Sequence, residues 1–83
     1  MPPEKEVTLV VNTKPHSWTH REISYAQVVQ LAYPAADFSD ERITYTVKYR
    51  RGMGNKPQGS LVAGTSVKVK DRMTFDVTKT DRS

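Results

Sequence analysis

The sequence predicts an α+β fold in which a mixed sheet of four to five strands wraps over a single α-helix. One segment, residues 23–34, carries a full set of helix signals, whereas the segments around it alternate apolar and polar residues as strands do. With 83 residues and no cysteine, the chain has the length of one small domain and no disulfide framework. A helix this short is marginal in water, so the sheet must bury its apolar side.

A hairpin is predicted at the start of the domain. Residues 1–6 are polar with two prolines, and we expect a flexible arm there. Residues 7–13 alternate apolar and polar side chains, which predicts a strand with one buried face. Turn-forming residues cluster at 12–16, so that residues 17–22 are expected to form a second, more polar strand.

The helix has defined start and stop signals. Ser24 is a strong N-cap, and Gln27 lies three residues later, where it can complete a capping box. Ile23 and Val28 occupy the two positions of a hydrophobic staple, and Pro34 ends the helix. Four residues recur at helical spacing along the side that should face the sheet, namely Tyr25, Val28, Val29 and Ala32.

The clearest strand signal lies at residues 43–51, after a loop at 35–42. Its odd-numbered side chains are apolar or aromatic and its even-numbered ones polar or basic, which predicts one buried and one solvated face. A right-handed crossover through the helix favours parallel pairing with the first strand, although an eight-residue loop also allows another position.

The rest of the chain reads as short strands and turns. A glycine-rich loop at 51–59 leads to a short strand at 60–63, and a further extended piece starts at Val67. A tight type I′ turn is predicted at Asp71 and Arg72, ahead of a last strand at 73–78. The predicted core comprises Val7, Leu9, Val11, Ile23, Val28, Val29, Ala32, Tyr45, Val47, Leu61, Val69, Phe75 and Val77.

Nothing in the sequence has the spacing of a catalytic or metal-binding motif. His16 and His20 would be about 13 Å apart in one strand, too far to share a metal ion. Asp37, Asp40 and Glu41 lack the glycine and terminal glutamate of a calcium loop. The glycine-rich loop lacks the third glycine of the dinucleotide-binding motif GxGxxG, and it has no GK[ST] sequence as in the P-loop. We therefore expect no enzyme activity, no cofactor and no metal.

Two features suggest a partner-binding surface. The net charge is +4, and if their strands are neighbours, four cations form a basic stripe on the solvent side of the sheet: Lys48, Arg50, Lys68 and Lys70. Nucleic acid is the less favoured partner, because the aromatic residues of these strands fall on the core side. Trp18 serves either as an exposed partner anchor or as core packing.

No apolar run approaches the roughly 20 residues of a membrane span, and the first residues lack the apolar core of a signal peptide. The absence of cysteine is compatible with the cytoplasm. We therefore expect a soluble, cytoplasmic protein.

Five blocks of the sequence resemble the bacterial multiubiquitin-type proteins, which are ubiquitin-like modules found singly or in tandem in prokaryotes. The blocks come in the order of that family and cover nearly the whole chain: VVNTKPHSW, EISYAQVVQLAYP, YTVKYRRG, GSLVAGTSVKVKD and MTFDVTKTDRS. The resemblance implies a β-grasp domain, here at residues 7–78, that acts as a protein modifier or module.

The resemblance also implies a role for the last five residues as a flexible tail: Lys79, Thr80, Asp81, Arg82 and Ser83. In ubiquitin-like modifiers an activating enzyme adenylates the terminal carboxylate, a conjugating enzyme receives it, and an amine or hydroxyl of a target protein takes it over. Neighbouring genes of the family resemble these enzymes and JAB-type metalloproteases. Such tails usually end in two glycines, which leaves trimming, or a tail without a role in conjugation, as alternatives here.

An alternative function of another class stays open. The chain can be a non-conjugated β-grasp interaction module, which binds an acidic protein or nucleic acid through the basic stripe.

Overall fold

The computed structural model describes residues 6–52 and 58–81, and these form seven strands and one helix. In chain order the elements are β1 (Val7–Val11), β2 (Lys14–Trp18), β3 (Glu22–Ser24), α1 (Tyr25–Ala32), β4 (Ile43–Arg50), β5 (Gly59–Leu61), β6 (Ser66–Lys68) and β7 (Thr74–Asp81). Residues 1–5 of the predicted N-terminal arm and residues 53–57 of the loop predicted at 51–59 lie outside the described residues.

Five strands form one mixed sheet in the order β2-β1-β7-β4-β5, with α1 against one face. Only the β1–β7 pair is parallel, and the other neighbours are antiparallel. This mixed sheet over one helix confirms the predicted β-grasp class. The expectation that β4 lies parallel to β1 is wrong, because β7 occupies the place between them and pairs with β4 over eight positions.

The N-terminal hairpin is tighter than predicted. Asn12 and Thr13 alone form the turn, both with positive φ (49° and 70°), which is the pattern of a type I′ turn. The second strand therefore begins at Lys14, not at Ser17, and includes Pro15. A proline is tolerated there because β2 is an edge strand and needs hydrogen-bond donors on one side only.

The short strand β3 was not predicted, because its residues were assigned to the end of the hairpin and the start of the helix. It pairs antiparallel with β6 as a separate two-stranded sheet, in which Ile23 lies opposite Val67. Since Ile23 is fully buried, this small sheet closes one end of the core.

Helix α1 begins as its sequence signals predict. The Ser24 hydroxyl accepts a hydrogen bond from the Gln27 backbone N–H (3.2 Å), and the Gln27 side chain accepts one from the Ser24 N–H (2.9 Å). This reciprocal pair is a complete capping box. Val28 and Val29 are fully buried against the sheet. No helix of the described residues is long and apolar enough to span a bilayer.

The core lies between α1 and the inner face of the large sheet. It comprises Leu9, Val11, Ile23, Val28, Val29, Tyr45, Val47, Leu61, Met73, Phe75 and Val77. Three residues expected there, Val7, Ala32 and Val69, are only partly buried at its margin. Met73 was not expected, but it continues the alternation of Phe75 and Val77 and is fully buried.

The turn before β7 lies where it was predicted but has another geometry. Of its two central residues only Arg72 has positive φ (67°), and the Met73 N–H donates to the Lys70 carbonyl (3.0 Å). Positive φ at the third position alone is the pattern of a type II turn, so the predicted type I′ geometry is wrong. The Arg72 N–H also donates to the Thr8 carbonyl (2.7 Å), which joins the turn to β1.

Replacing Arg72 by glycine is expected to raise the melting temperature by a few degrees. Glycine adopts positive φ without the penalty of about 1 kcal/mol that a Cβ brings, and its N–H can still bond Thr8. Thermal unfolding followed by circular dichroism measures the effect. Lys70→Gly, at a position without positive φ, is the control and should lower the melting temperature. A lower value for Arg72→Gly would contradict the prediction.

Candidate functional site

The segment predicted as a free tail is partly a strand. Strand β7 continues to Asp81, with Lys79 opposite Tyr45 and Asp81 opposite Ile43 on β4. The prediction of a flexible tail from Lys79 is therefore wrong for Lys79, Thr80 and Asp81, because the first residues of β4 offer partners for them. Arg82 and Ser83 lie outside the described residues.

The end of β7 pairs with one strand. The parallel pairing with β1 covers only Thr74 and Phe75, and the Asn12 side chain extends it to Val77. Beyond Val77, the strand pairings in the described parts of the chain give β7 a single neighbour, β4. The side chains from Thr78 to Asp81 are exposed. In strand pairing these residues thus form an edge of a strand that is central elsewhere.

An aromatic surface lies beside this strand end. Lys79 lines a shallow cavity of about 230 Å³ with Tyr33, Tyr45 and the small residues Ala32, Pro34, Ala35 and Ala36. The rings of Tyr33 and Tyr45 are 5.7 Å apart, and Phe38, which is 46% exposed, contacts Tyr45 from the loop before β4. The sequence analysis assigned no function to these aromatic residues. Phe38 could have been noticed, because it is an aromatic residue in an acidic loop.

A hydrogen bond from Tyr25 joins helix α1 to strand β4 beneath this surface. The Tyr25 hydroxyl donates this bond to the Tyr45 backbone carbonyl (2.7 Å). Burial raises the pKa of the Tyr25 hydroxyl above its ordinary value. The neutral donor form is therefore favoured in the folded state.

The four predicted basic residues do not form one stripe. Lys48 and Arg50 share the outer face of β4, whereas Lys68 lies on β6, which pairs with β3 in the small sheet. Lys70 follows β6 towards the turn. The condition for a continuous stripe, that these strands are neighbours, is not met because β6 joins the small sheet.

A smaller basic corner remains at the junction of β4 and β5. Lys48 and Arg50 line a shallow groove of about 410 Å³ together with Gln58, Ser60 and Asp76. The Arg50 guanidinium lies 3.9 Å from the Asp76 carboxylate, and both side chains are more than half exposed. Such an exposed pair contributes little to stability, so Arg50 stays available to a partner.

Trp18 is half-buried on the inner side of the edge strand β2. Its indole N–H donates to the Glu22 carbonyl (3.0 Å), and its ring packs edge-on against His20 with 5.5 Å between centroids. It also packs against the core. These contacts give Trp18 a structural role in joining β2 to β3, and its role in partner binding stays a prediction.

The acidic loop is bonded within itself. Asp37 accepts hydrogen bonds from both the hydroxyl and the N–H of Ser39, which lower the pKa of its carboxyl group. Asp40 pairs with Arg42 at 3.3 Å. Over residues 6–52 and 58–81, no group of three or more histidines and carboxylates could hold a metal ion.

The sequence was compared with known families and proteins. The family model described as multiubiquitin matches residues 7–81, from the first residue of β1 to the last residue of β7. No curated protein and no solved structure matches the chain.

Proposed function

The chain belongs to the multiubiquitin family, and from this premise we propose that this ubiquitin-like module is a protein modifier, attached to target proteins through the end of its last strand. Its partners are an activating and a conjugating enzyme and a JAB-type metalloprotease that trims or releases it. The observation that supports the proposal is the family match, which covers every described strand and the helix and reaches the exposed end of β7.

The chemistry needs a carboxylate from this chain and no catalytic group. The carboxylate oxygen of the mature C-terminus attacks the α-phosphorus of ATP, and pyrophosphate leaves. A cysteine thiolate of the enzyme then attacks the acyl carbon and AMP leaves, which forms a thioester. An amine or hydroxyl of the target finally displaces the thiolate. Each step requires that the chain end reach into the active site of another protein.

Because β4 is the one described strand that pairs with the end of β7, this reach is possible. An enzyme that draws residues 79–81 into its active site has to break their strand pairing with β4. Backbone hydrogen bonds contribute about 0.5–1.5 kcal/mol each, so local separation is within the binding energy of an ordinary enzyme complex. The aromatic cavity beside Lys79 lies where such an enzyme must approach.

Incubating the full chain with ATP and the activating-type enzyme encoded nearest to its gene is expected to give an adenylate and a thioester. Two forms of the chain should be compared: one ends in a free carboxylate and the other, made by semisynthesis, in a carboxamide. They differ in one functional group and share the fold. We expect ATP–pyrophosphate exchange and adduct formation with the free acid and only background with the amide.

Adding the JAB-type protease tests the trimming alternative. If trimming creates the reactive end, both forms become active after protease treatment, and mass spectrometry identifies the residue that is joined to the target. Inactivity of the free acid with and without the protease would overturn the modifier function. A non-conjugated interaction module would then take its place.

A further inference from the structure

The large sheet has two edge strands, and they are protected differently. Strand β2 carries Lys14 and Pro15, two residues that prevent another strand from pairing with an edge. Strand β5 consists of Gly59, Ser60 and Leu61 and has neither charge nor proline. In the described part of the chain β5 pairs with β4 on one side and with no strand on the other. The β5 edge is thus the one open to an added strand.

Little stands above the outer face of β5. On that face Ser60 is small. On the inner face Gly59 leaves room for the Tyr49 ring: a Cβ there would lie 2.9 Å from the Tyr49 hydroxyl oxygen. Lys48 lies directly opposite Ser60 on β4. A strand added beyond β5 would lie about 10 Å from β4, within reach of a lysine side chain that extends over a serine.

The charge at this edge is positive. Lys48 and Arg50 point to the outer face, exposed Arg51 follows them, and Asp76 is the one carboxylate in the groove. At the other end of β5, Val62 is 59% exposed, which makes it one of two large hydrophobic residues exposed in the described chain. The edge therefore combines cations on one side with an apolar side chain at its end.

We propose that the β5 edge binds an extended acidic segment of a partner protein as an additional antiparallel or parallel strand. The carboxylates of that segment face Lys48 and Arg50, and apolar residues at the alternate positions lie on the opposite face of the sheet, next to Leu61 and the Tyr49 ring. Backbone hydrogen bonds to β5 supply affinity, and the alternation supplies specificity. The inference does not use the chain end and is independent of conjugation.

An acidic protein segment fits this edge better than a second copy of the chain or nucleic acid does. Pairing of two copies through β5 would bring Lys48 and Arg50 of both chains together, which is repulsive. Nucleic acid has no backbone amides to continue the sheet, and Tyr45 and Tyr49, the aromatic residues of β4, lie on the opposite, core-directed face, where they cannot stack on bases.

A capped six-residue peptide of alternating glutamate and valine is the probe. Its addition to the full, ¹⁵N-labelled chain is expected to shift and protect from exchange the amides of Gly59, Ser60 and Leu61. A peptide of the same composition with the three glutamates grouped together, and one with N-methylated alternate amides, should both bind much more weakly. Equal binding of either peptide would mean that the contact is not strand pairing, and would overturn the proposal.

Charge reversal provides a matched test. The double variant Lys48→Glu and Arg50→Glu should weaken binding of the acidic peptide about tenfold and favour a lysine–valine peptide, because two attractions become repulsions. The control is Lys68→Glu with Lys70→Glu, which changes the net charge equally but lies on β6 and just after it, away from the β5 edge. Equal loss in the control, tighter binding of oligothymidine at the same amides, or self-association through β5 would each contradict the inference.

Discussion

Replacing Phe75 by alanine is expected to lower the free energy of unfolding by about 3–5 kcal/mol, the largest effect of any single change considered for this chain. Phe75 is fully buried on β7 and lies opposite Val11 on one neighbouring strand and Tyr49 on the other. Its ring centroid is 6.3 Å from that of Tyr49. Truncation leaves a cavity where the helix and three strands meet, in a domain whose total stability is expected to be only about 5–15 kcal/mol.

Urea unfolding followed by circular dichroism measures this loss. The matched control is Thr78→Val on the same strand, because Thr78 lies on the exposed outer face and valine keeps its β-branched shape. The control should change the unfolding free energy by less than about 0.5 kcal/mol. If Phe75→Ala were no more damaging than the control, Phe75 would not be at the centre of the core.

Replacing Asn12 by glycine is expected to cost about 1–3 kcal/mol although Asn12 lies in a turn. Its side-chain amide donates to the Val77 carbonyl (3.1 Å), and its side-chain oxygen accepts from the Val77 N–H (2.8 Å). Both bonds are partly shielded from water. Glycine keeps the positive φ of this position, so the change removes the two hydrogen bonds without adding backbone strain.

The control is a substitution of the neighbouring residue, Thr13, which is expected to change stability in the opposite direction. Thr13 also has positive φ, where a β-branched residue is strained, and asparagine followed by glycine is the preferred type I′ pair. Thr13→Gly should therefore raise the midpoint of urea unfolding while Asn12→Gly lowers it. Hydrogen exchange of the Val77 amide should accelerate in the Asn12 variant only. Unchanged exchange at Val77 would show that the side chain does not hold the strand.

Local signals predicted the elements that local interactions build. Ser24, Gln27 and Pro34 sufficed for the helix, because caps and stops act within a few residues of the chain. The alternation from Ile43 to Arg50 placed Lys48 and Arg50 correctly on the outer face of β4, since a strand has a fixed period of two.

The predictions that were wrong concern features that depend on contacts between distant residues. The strand β7 was expected to end at Thr78, because the polar residues that follow have no strand signal of their own, yet pairing with β4 extends it to Asp81. Lys68 was grouped with Lys48 because nothing in their own segments shows that β6 pairs with β3. The hairpin was misplaced because positive φ at Thr13 is a strained choice for threonine, and the bonds between Asn12 and the distant Val77 help to hold this turn.

The position of β7 between β1 and β4 has a consequence for synthesis. The strand that fills the middle of the sheet follows the other six described strands in the chain, so it leaves the ribosome after them, and until then β1 and β4 each have an unfilled edge and the helix is only partly covered. Folding of each module can finish only after its own final residues have emerged. In a tandem polypeptide the copies would then mature one after another, in the order of translation.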